Sequence, residues 1–399
     1  MRRVVSAVRP LFIATAGAAA FALAAPPAWP SATQDAPGGA TVVHEVAAGI
    51  TLLRLTDPSL LDPPAPVHVM LLRLQPGGST LRAALANDEV VGTETVAELA
   101  GRHHATAAIN AGFFLPNGDP SGLFKMDGRL VSDTRRPRGA IAVIRSPAGM
   151  RLLFDRVTAS ASLAIHRRLG RRTRVPVHGI DTTRLRGRLM LFTPAYHAHT
   201  DTVAGGLEWT LTGQPSAIGA GPLEGGRTPI PRDGFVLSYG GRSPPSPLRS
   251  LEPGTRVDVV PHVTPAGGDE EHWARADDVV GGAGLLARGG RYIEDWSTEA
   301  LNPGFAETRH PRTMVGVAPD GTVWLAAVDG RQPAHSAGMT LRELQTLARR
   351  LHLTDALNLD GGGSTTMWVD GQVVNRPSDA AGPRKVSDAL LVFSAGQRH

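Results

Sequence analysis

The sequence predicts an α+β protein with a mixed β-sheet core, few helices and a C-terminal β-α-β unit that carries the functional site. Short apolar runs separated by Pro- and Gly-containing turns recur along most of the chain, and such runs are typical of strands. One clear helical pattern, at residues 340–351, lies between two of these runs. A strand, a helix and a strand in that order predict a parallel pair joined by a crossover.

The first forty residues predict an exported protein. Basic residues precede an apolar run at 11–25, which is the arrangement of a secretory signal. That run is shorter than the roughly 20 residues that a membrane-spanning helix needs, and Ala22-Leu23-Ala24 offers a small-x-small cleavage pattern. We therefore expect a signal peptide at 1–25, a disordered leader at 26–40 and a secreted or cell-envelope protein. The alternative is an uncleaved N-terminal anchor, which would be the protein's only contact with a membrane.

Residues 41–399 are expected to form one large domain, in which 41–100 could be an N-terminal β subdomain. A helix is expected at 96–103 from the spacing of its apolar residues. Strands are expected at 67–74, 105–109, 140–144, 187–193 and 233–239, and Pro-, Gly- and charge-rich loops at 242–247 and 261–271.

The C-terminal helix has a defined start. Thr340 is a good N-cap and Glu343 follows three residues later, which is the spacing of a capping box. Apolar side chains then recur on one face as far as Leu351. Strands at 322–328 and 356–359 flank the helix, so this segment is the β-α-β unit.

Two aspartates end the strands of this unit, Asp329 and Asp360. Because parallel strands end at the same edge of a sheet, we expect these carboxylates to share a cleft. Arg312 and Arg331 bracket the first strand, and a guanidinium offers two parallel donors to a phosphate or carboxylate, so an anionic substrate group is expected.

A glycine run, Gly361-Gly362-Gly363-Ser364, follows the second strand. Successive backbone N–H groups in such a run can bind an anion. No Lys follows the glycines and the G-x-G-x-x-G pattern is missing, so neither ATP nor NAD is expected.

Composition removes several classes of function. The chain has no cysteine, which excludes thiol nucleophiles, zinc-thiolate sites and disulfides. The 41 Lys and Arg residues exceed the 36 Asp and Glu residues only slightly. A basic loop at 166–172 lacks interleaved aromatic residues, so we expect no nucleic-acid partner.

Four segments taken in order resemble the phosphodiester glycosidase family, and the resemblance covers roughly residues 65–395. A glycine-rich element at 279–290 also resembles that family. The four segments are Ile109-Asn110-Ala111-Gly112-Phe113-Phe114, His310-Pro311-Arg312-Thr313, Val328-Asp329-Gly330-Arg331 and Asn358-Leu359-Asp360-Gly361-Gly362-Gly363-Ser364.

The resemblance implies hydrolysis of a sugar-1-phosphodiester at the anomeric carbon. Asp329 and Asp360 are interpreted as the acid/base or nucleophilic pair, Asn110 as a sugar- or water-positioning amide, and Arg312 as a phosphate-binding member of the catalytic group. The residues expected to bind substrate are Arg331, Thr313, Gly361, Gly362, Gly363, Ser364 and Asp388.

Three alternatives remain open in the sequence. The reaction should need no cofactor, but Asp329 and Asp360 could instead hold a divalent cation through their oxygens. The partner is expected to be a glycan or a sugar phosphate, in a cell-envelope or exopolysaccharide setting. The protein could also be a non-catalytic binder of an envelope polysaccharide.

Overall fold

The computed structural model describes residues 39–167, 170–213 and 215–397. The expected signal peptide at 1–25 and nearly all of the leader at 26–40 lie outside the described residues. Among the described residues, no helix is both long enough and apolar enough to cross a membrane.

Strands dominate the described chain and are numbered in chain order. The first ten are β1 (Thr41–Ala47), β2 (Ile50–Leu55), β3 (Val69–Leu74), β4 (Ser79–Leu85), β5 (Glu94–Thr95), β6 (Ala107–Asn110), β7 (Phe124–Met126), β8 (Arg129–Ser132), β9 (Thr134–Ser146) and β10 (Gly149–His166). The next ten are β11 (Arg172–Pro176), β12 (Gly179–Ile180), β13 (Leu189–Phe192), β14 (Leu207–Thr212), β15 (Ala217–Glu224), β16 (Phe235–Tyr239), β17 (Val257–Pro265), β18 (Asp278–Gly281), β19 (Leu285–Arg288) and β20 (Arg291–Tyr292). The last seven are β21 (Arg312–Val317), β22 (Val323–Val328), β23 (Asp355–Asn358), β24 (Met367–Val369), β25 (Gln372–Val373), β26 (Lys385–Val386) and β27 (Asp388–Ser394).

The α-helices of the described chain are short. Thr95 and Thr340 each cap a helix with a complete capping box, as the sequence predicts for Thr340. The helices are α1 (Val96–Arg102), α2 (Ser246–Arg249), α3 (Glu270–Arg275), α4 (Pro303–Glu307) and α5 (Leu341–Arg350). The expected mixed-sheet fold with few helices is confirmed.

Two sheets pack against each other and build the main core. One has eight strands in the order β1-β2-β3-β22-β21-β23-β19-β20, and the other has five in the order β25-β24-β6-β27-β4. Leu72 and Leu325 of the first sheet share a buried cluster with Ile109 and Leu390 of the second. Each sheet therefore combines N-terminal with C-terminal strands, and residues 41–100 contribute to both.

The eight-stranded sheet is buried on both faces, which explains why its central strands are apolar throughout. Side chains alternate between the faces of a strand. In β22, Leu325 faces the main core, while Trp324 packs with Leu344 and Leu347 of α5 on the opposite face. Helix α1 covers the outer face of the five-stranded sheet in the same way. The layer order is therefore helix, sheet, sheet, helix.

The middle of the chain adds two further sheets beside this core. A seven-stranded sheet has the order β11-β10-β9-β18-β7-β8, with β17 paired to β10. A second five-stranded sheet, in the order β12-β13-β16-β14-β15, packs on it through Trp209 and Leu163. A two-stranded ribbon, β26-β5, completes the described sheets.

The expected β-α-β unit is present with one addition. Strands β22 and β23 run parallel and α5 connects them, but β21 lies between them and is antiparallel to both. The sequence does not reveal this insertion because β21 precedes the unit in the chain.

The loop expected at 261–271 is wrong in part. Strand β17 runs through Pro261 to Pro265, and α3 begins at Glu270. Because β17 pairs only with β10, it is an edge strand, where a missing proline N–H leaves no ladder hydrogen bond unmade.

The packing of α5 can be tested with Leu344→Ala. Leu344 is fully buried against the eight-stranded sheet, so we expect a loss of about 2–5 kcal/mol in the free energy of unfolding, measured by urea denaturation. Thr346→Ala, on the exposed face of the same helix, is the matched control and should cost less than about 1 kcal/mol. Equal losses in the two variants would contradict the assigned helix orientation.

Candidate active site at the strand ends

One edge of the eight-stranded sheet gathers most of the predicted site residues. Because β21 is antiparallel to both neighbours, its first residue, Arg312, lies where β22 and β23 end. Asp329 follows β22 and Asp360 follows β23. The two aspartates thus lie on either side of β21, two strand spacings or about 10 Å apart along the sheet.

Asn110 joins this edge to the second sheet. Its Nδ2 donates to the Asp360 carbonyl oxygen (2.7 Å), while its Oδ1 accepts from Thr313 Oγ1 (2.8 Å) and from the Thr366 amide (3.1 Å). Both ends of the carboxamide are therefore occupied by protein groups. Asn110 and Thr313 hold the strand ends together at the base of the site.

The glycine run forms a tight turn against Pro311. The Gly362 amide donates to the Pro311 carbonyl oxygen (2.9 Å), and Gly362 has φ 63°, a conformation that favours glycine. A Cβ on Gly361 would lie 2.6 Å from that same oxygen. The amides of Ser364 and Thr365 donate within the turn. Much of the backbone N–H capacity expected for an anion is thus used internally.

Two other guanidinium groups flank this turn. Arg331 has its Nη2 beside Gly362, is exposed, and makes no hydrogen bond or ion pair with any residue that the structure describes. Arg384 packs over Gly363 and is held by Asp379, with Nη2 2.8 Å from Oδ2. Arg331 thus brings a guanidinium that is unpaired among the described residues to the glycine turn, whereas the charge of Arg384 is paired with Asp379, whose carboxylate also lies beside Gly363.

Arg312 itself is only 1% exposed and serves main-chain acceptors. Its Nε donates to the Met339 carbonyl oxygen (2.8 Å), and its Nη2 donates to the carbonyl oxygens of Phe305 (2.5 Å) and Thr308 (3.1 Å). Burial, followed by the charge of Arg331, lowers the pKa of Arg312 to about 10. These bonds fasten α4 to the sheet edge.

Asp329 is 4% exposed and bound on both oxygens. Oδ1 accepts from the Arg376 amide (2.9 Å) and from Asn375 Nδ2 (3.1 Å), and Oδ2 lies 2.9 Å from His335 Nε2. Burial raises the pKa of Asp329, and the hydrogen bond from His335 is the largest opposing influence. The structure therefore pairs Asp329 with a histidine.

Asp360 is instead close to Asp388. Strand β27 begins at Asp388 beside the end of β6, and the Ala111 main chain bonds to both aspartates. Burial raises the pKa of Asp360 to about 6, and the charge of Asp388 adds to that rise. Burial also raises the pKa of Asp388 to about 6, against hydrogen bonds from the Ser387 hydroxyl and the Gly112 amide. The site thus has two neighbouring carboxyls with raised pKa values, Asp388 fully buried and Asp360 partly exposed.

Buried polar atoms without a hydrogen-bond partner among the described residues concentrate at this edge. Such atoms are uncommon in folded proteins, and a group of them indicates a place prepared for another molecule. Ser364 lies near enough to Asp360 to lower its pKa, but its hydroxyl is not in hydrogen-bonding geometry. The atoms are His310 Nδ1, Gln332 Oε1, Asn358 Oδ1, Ser364 Oγ, Thr366 Oγ1 and Ser378 Oγ.

No group of three or more His, Asp or Glu side chains in the described ranges is arranged to hold a metal ion. A cavity of about 690 Å³ opens elsewhere, at the other end of β23, where Asp355, Arg288 and Trp273 line it. None of the site residues predicted from the sequence lines this cavity.

Comparison with known proteins identifies the part of the chain that holds this edge. Residues 224–393 match the phosphodiester glycosidase family. The resemblance expected from the sequence is confirmed. Arg312, Asp329, Asp360 and Asp388 all fall within this phosphodiester glycosidase region, whereas Asn110 is supplied from outside it.

Individual relatives agree with the match. The chain is 33% identical over 94 residues to the N-acetylglucosamine-1-phosphodiester alpha-N-acetylglucosaminidase of Mus musculus. The aligned residues make up 22% of this chain and 18% of that enzyme. The chain is 37% identical over 84 residues to the SPbeta prophage-derived protein YomE of Bacillus subtilis, covering 21% and 13%. The chain thus spans less than a fifth of the length of either relative.

Solved structures extend the likeness to most of the chain. A Synechocystis protein superposes with a TM-score of 0.71 at 26% identity, covering 87% of this chain and 62% of that one. A Burkholderia pseudomallei K96243 protein, described as exported, gives a TM-score of 0.69 at 26% identity, covering 83% and 74%. The fold is therefore shared well beyond the phosphodiester glycosidase region.

Several residues of the site are missed by the sequence reasoning. His335 lies in the connection between β22 and α5, six residues after Asp329, and Arg384 lies in a loop before β26. Because His335 follows so closely after Asp329 at the end of β22, its position in the sequence could have indicated that it belongs to the site. Nothing in the sequence around Arg384 indicates its contact with Gly363.

The raised pKa of Asp388 predicts a pH-dependent stability difference between wild type and Asp388→Asn. The folded protein holds the Asp388 proton up to a pKa of about 6, against a usual value of 3.8, so wild type loses stability as pH rises through that range. Relative to wild type, Asp388→Asn should gain about 3 kcal/mol between pH 4 and pH 7, measured by urea denaturation.

Asp320→Asn, on an exposed turn, is the control for the chemical change itself. A stability of Asp388→Asn that stays constant or falls relative to wild type as pH rises from 4 to 7 would contradict a raised pKa at Asp388.

Proposed function

We propose that this protein is an exported hydrolase that cleaves a sugar-1-phosphodiester at the anomeric carbon, releasing the sugar and leaving a phosphomonoester on the other partner. The observation that carries the proposal is the proximity of two unusual charge environments. Arg331 and Arg384 flank the glycine turn, and Asp360, which directly precedes that turn, lies close enough to the buried Asp388 for its charge to raise the pKa of Asp360.

The cationic side suits the phosphate. A phosphodiester carries one negative charge before cleavage and gains a second as the phosphomonoester departs. Arg331 has two-point donor geometry and no protein acceptor among the described residues, so it can bind this group directly. Arg384, whose guanidinium is paired with Asp379, lies on the other side of the turn. Because the leaving phosphate is stabilised by these cations, it needs little protonation.

The acidic side suits the sugar. Cleavage at an anomeric carbon passes through an oxocarbenium-like transition state, which nearby carboxylates stabilise. Asp360 and Asp388 have pKa values of about 6, so around pH 6 one carboxyl can be ionised while the other keeps its proton. The Ser364 hydroxyl, buried next to Asp360 without a partner, is a further donor for a sugar hydroxyl.

The family match over residues 224–393 supports a hydrolase of this type, and the mouse relative is by name a phosphodiester glycosidase for N-acetylglucosamine. Export and an envelope or exopolysaccharide glycan are supported by the signal-like segment at 1–25 and by the Burkholderia relative described as exported. The substrate is accordingly a sugar linked through phosphate to a glycan or lipid-like alcohol.

The proposal is tested by sugar release from a panel that contains an N-acetylglucosamine-1-phosphodiester, other sugar-1-phosphodiesters and a p-nitrophenyl glycoside, each with and without a chelator. Turnover of a phosphodiester but not of the glycoside is the expected result. Binding of a polysaccharide with no turnover on any member would favour the non-catalytic alternative, and a loss of turnover with chelator would add a metal.

Asp360→Asn should lower kcat on the active phosphodiester by about 10²- to 10⁴-fold, because the variant loses a carboxyl at the reacting centre. The melting temperature should change little. Asp355→Asn, at the other end of the same strand, is the matched control and should retain wild-type kcat. Retained turnover in Asp360→Asn would remove Asp360 from the reaction.

Arg331→Ala should raise KM for the phosphodiester by about 10- to 100-fold, since a hydrogen bond between charged groups contributes about 1.5–3 kcal/mol. Arg331→Lys should recover part of this loss, because it restores the charge without the two-point geometry. Arg291→Ala, an exposed arginine on β20, is the control for removing one positive charge. An unchanged KM in Arg331→Ala would place the phosphate elsewhere.

A further inference from the structure

His335 is the least explained polar group at the strand ends. It lies in a tight turn in which the Ser336 amide donates to the Gln332 carbonyl oxygen (2.6 Å) and the His335 amide donates to the same oxygen (2.7 Å). The turn follows Asp329 and Arg331, which come directly after β22 in the chain. Its backbone is therefore fixed by the same strand end that carries the phosphate-binding arginine.

The imidazole of His335 is held in one orientation by two contacts, a hydrogen bond to Asp329 and a stacked ring. Nε2 lies 2.9 Å from Asp329 Oδ2, and the other oxygen of Asp329 is fixed by Asn375 and the Arg376 amide. The ring stacks on that of His68, with centroids 4.0 Å apart and an interplanar angle of 27°. We assign the ring hydrogen to Nε2, because an ionised Asp329 carboxylate can only accept a hydrogen bond, and this assignment leaves a lone pair on Nδ1.

Ser336 locks this arrangement from below. Its hydroxyl donates to the Asp329 carbonyl oxygen (2.7 Å) and accepts from the His68 amide (3.1 Å), while the Asp329 amide donates to the His68 carbonyl oxygen (3.0 Å). Asp329, the His68 ring and Ser336 together fix one orientation of the His335 side chain, which is more than surface packing requires.

The Nδ1 edge of the imidazole is not hydrogen-bonded to the described protein. The His335 side chain is 24% exposed, and Nδ1 has no hydrogen bond to any residue in the described ranges. A buried carboxylate on one nitrogen and an accessible lone pair on the other is the arrangement of a general base with its orienting acid.

We propose that His335 is a catalytic general base and that Asp329 is its positioning residue, an assignment that rests on the proposed phosphodiester hydrolysis. Nδ1 accepts a proton from the attacking water as the water oxygen bonds to the anomeric carbon. The bond from that carbon to the phosphate oxygen breaks, and its electron pair leaves with the phosphomonoester. Asp329 stabilises the imidazolium until the proton passes to solvent.

The experiment measures steady-state kinetics of His335→Ala, His335→Gln, Asp329→Asn and the double variant Asp329→Asn/His335→Ala on the phosphodiester that wild type cleaves. Both His335 variants should lower kcat by about 100-fold or more and change KM by less than about threefold. Because Asp329 acts through His335, the double variant should be no slower than His335→Ala.

Added imidazole separates a base from a structural group. It should restore at least about tenfold in kcat to His335→Ala, where a small base can occupy the vacated space, and should restore nothing to Asp360→Asn. The matched control is His166→Gln, which breaks a similar pair, Nε2 to Asp258 Oδ2 at 2.6 Å, in the seven-stranded sheet and should retain wild-type kcat.

The outcomes distinguish the two proposals. If wild type cleaves the phosphodiester and His335→Ala keeps more than about a third of its kcat, or if the lost activity is not restored by imidazole, His335 is not the base while the hydrolase function stands. If wild type cleaves no member of the panel, the hydrolase function fails, and the role of His335 fails with it.

Discussion

The hydrogen bonds of the Asn110 carboxamide are the constraint on which the site depends. One amide group ties the end of β6 in the five-stranded sheet to Thr313 in the eight-stranded sheet and to the main chain on both sides of the glycine turn. Asp388 arrives from the five-stranded sheet and Asp360 from the eight-stranded sheet. Their proximity therefore requires a fixed contact between the two sheets. A fully buried amide with both ends satisfied provides that contact at a single position.

Asp329 and Asp360, at the ends of β22 and β23, have different surroundings because β21 lies between those strands. Asp329 faces a histidine and several donors, whereas Asp360 faces another carboxyl and the glycine turn. A cleft in which two equivalent aspartates cooperate would be the simplest interpretation of the sequence. The structure supports a division in which one aspartate orients an imidazole and the other forms an acidic pair with the buried Asp388.

Much of the C-terminal unit could be predicted because local signals were strong. The capping box at Thr340, the apolar face of α5, the uninterrupted apolar strand at 323–328 and the short strand at 355–358 each depend on residues close in sequence. The inserted strand β21, the Asp360–Asp388 proximity and the contact of Arg384 with Gly363 depend on pairing between distant segments. Periodicity carries no information on such pairing. The strand through Pro261 and Pro265 was missed because proline content indicates a loop unless the strand is known to lie at an edge.

The interleaving of early and late strands has a consequence for the time course of folding. Strand β3 pairs with β22 and β4 pairs with β27, so the sheets join segments separated by most of the polypeptide. Contacts of such long sequence separation form slowly and leave unpaired strand edges exposed until the last segments are available. A chain emerging from its N-terminus would pair β1, β2 and β3 early, but β3 and β4 would lack their long-range partners until β22 and β27 had followed. The active edge would therefore assemble late, as the closing event of maturation rather than as an early nucleus.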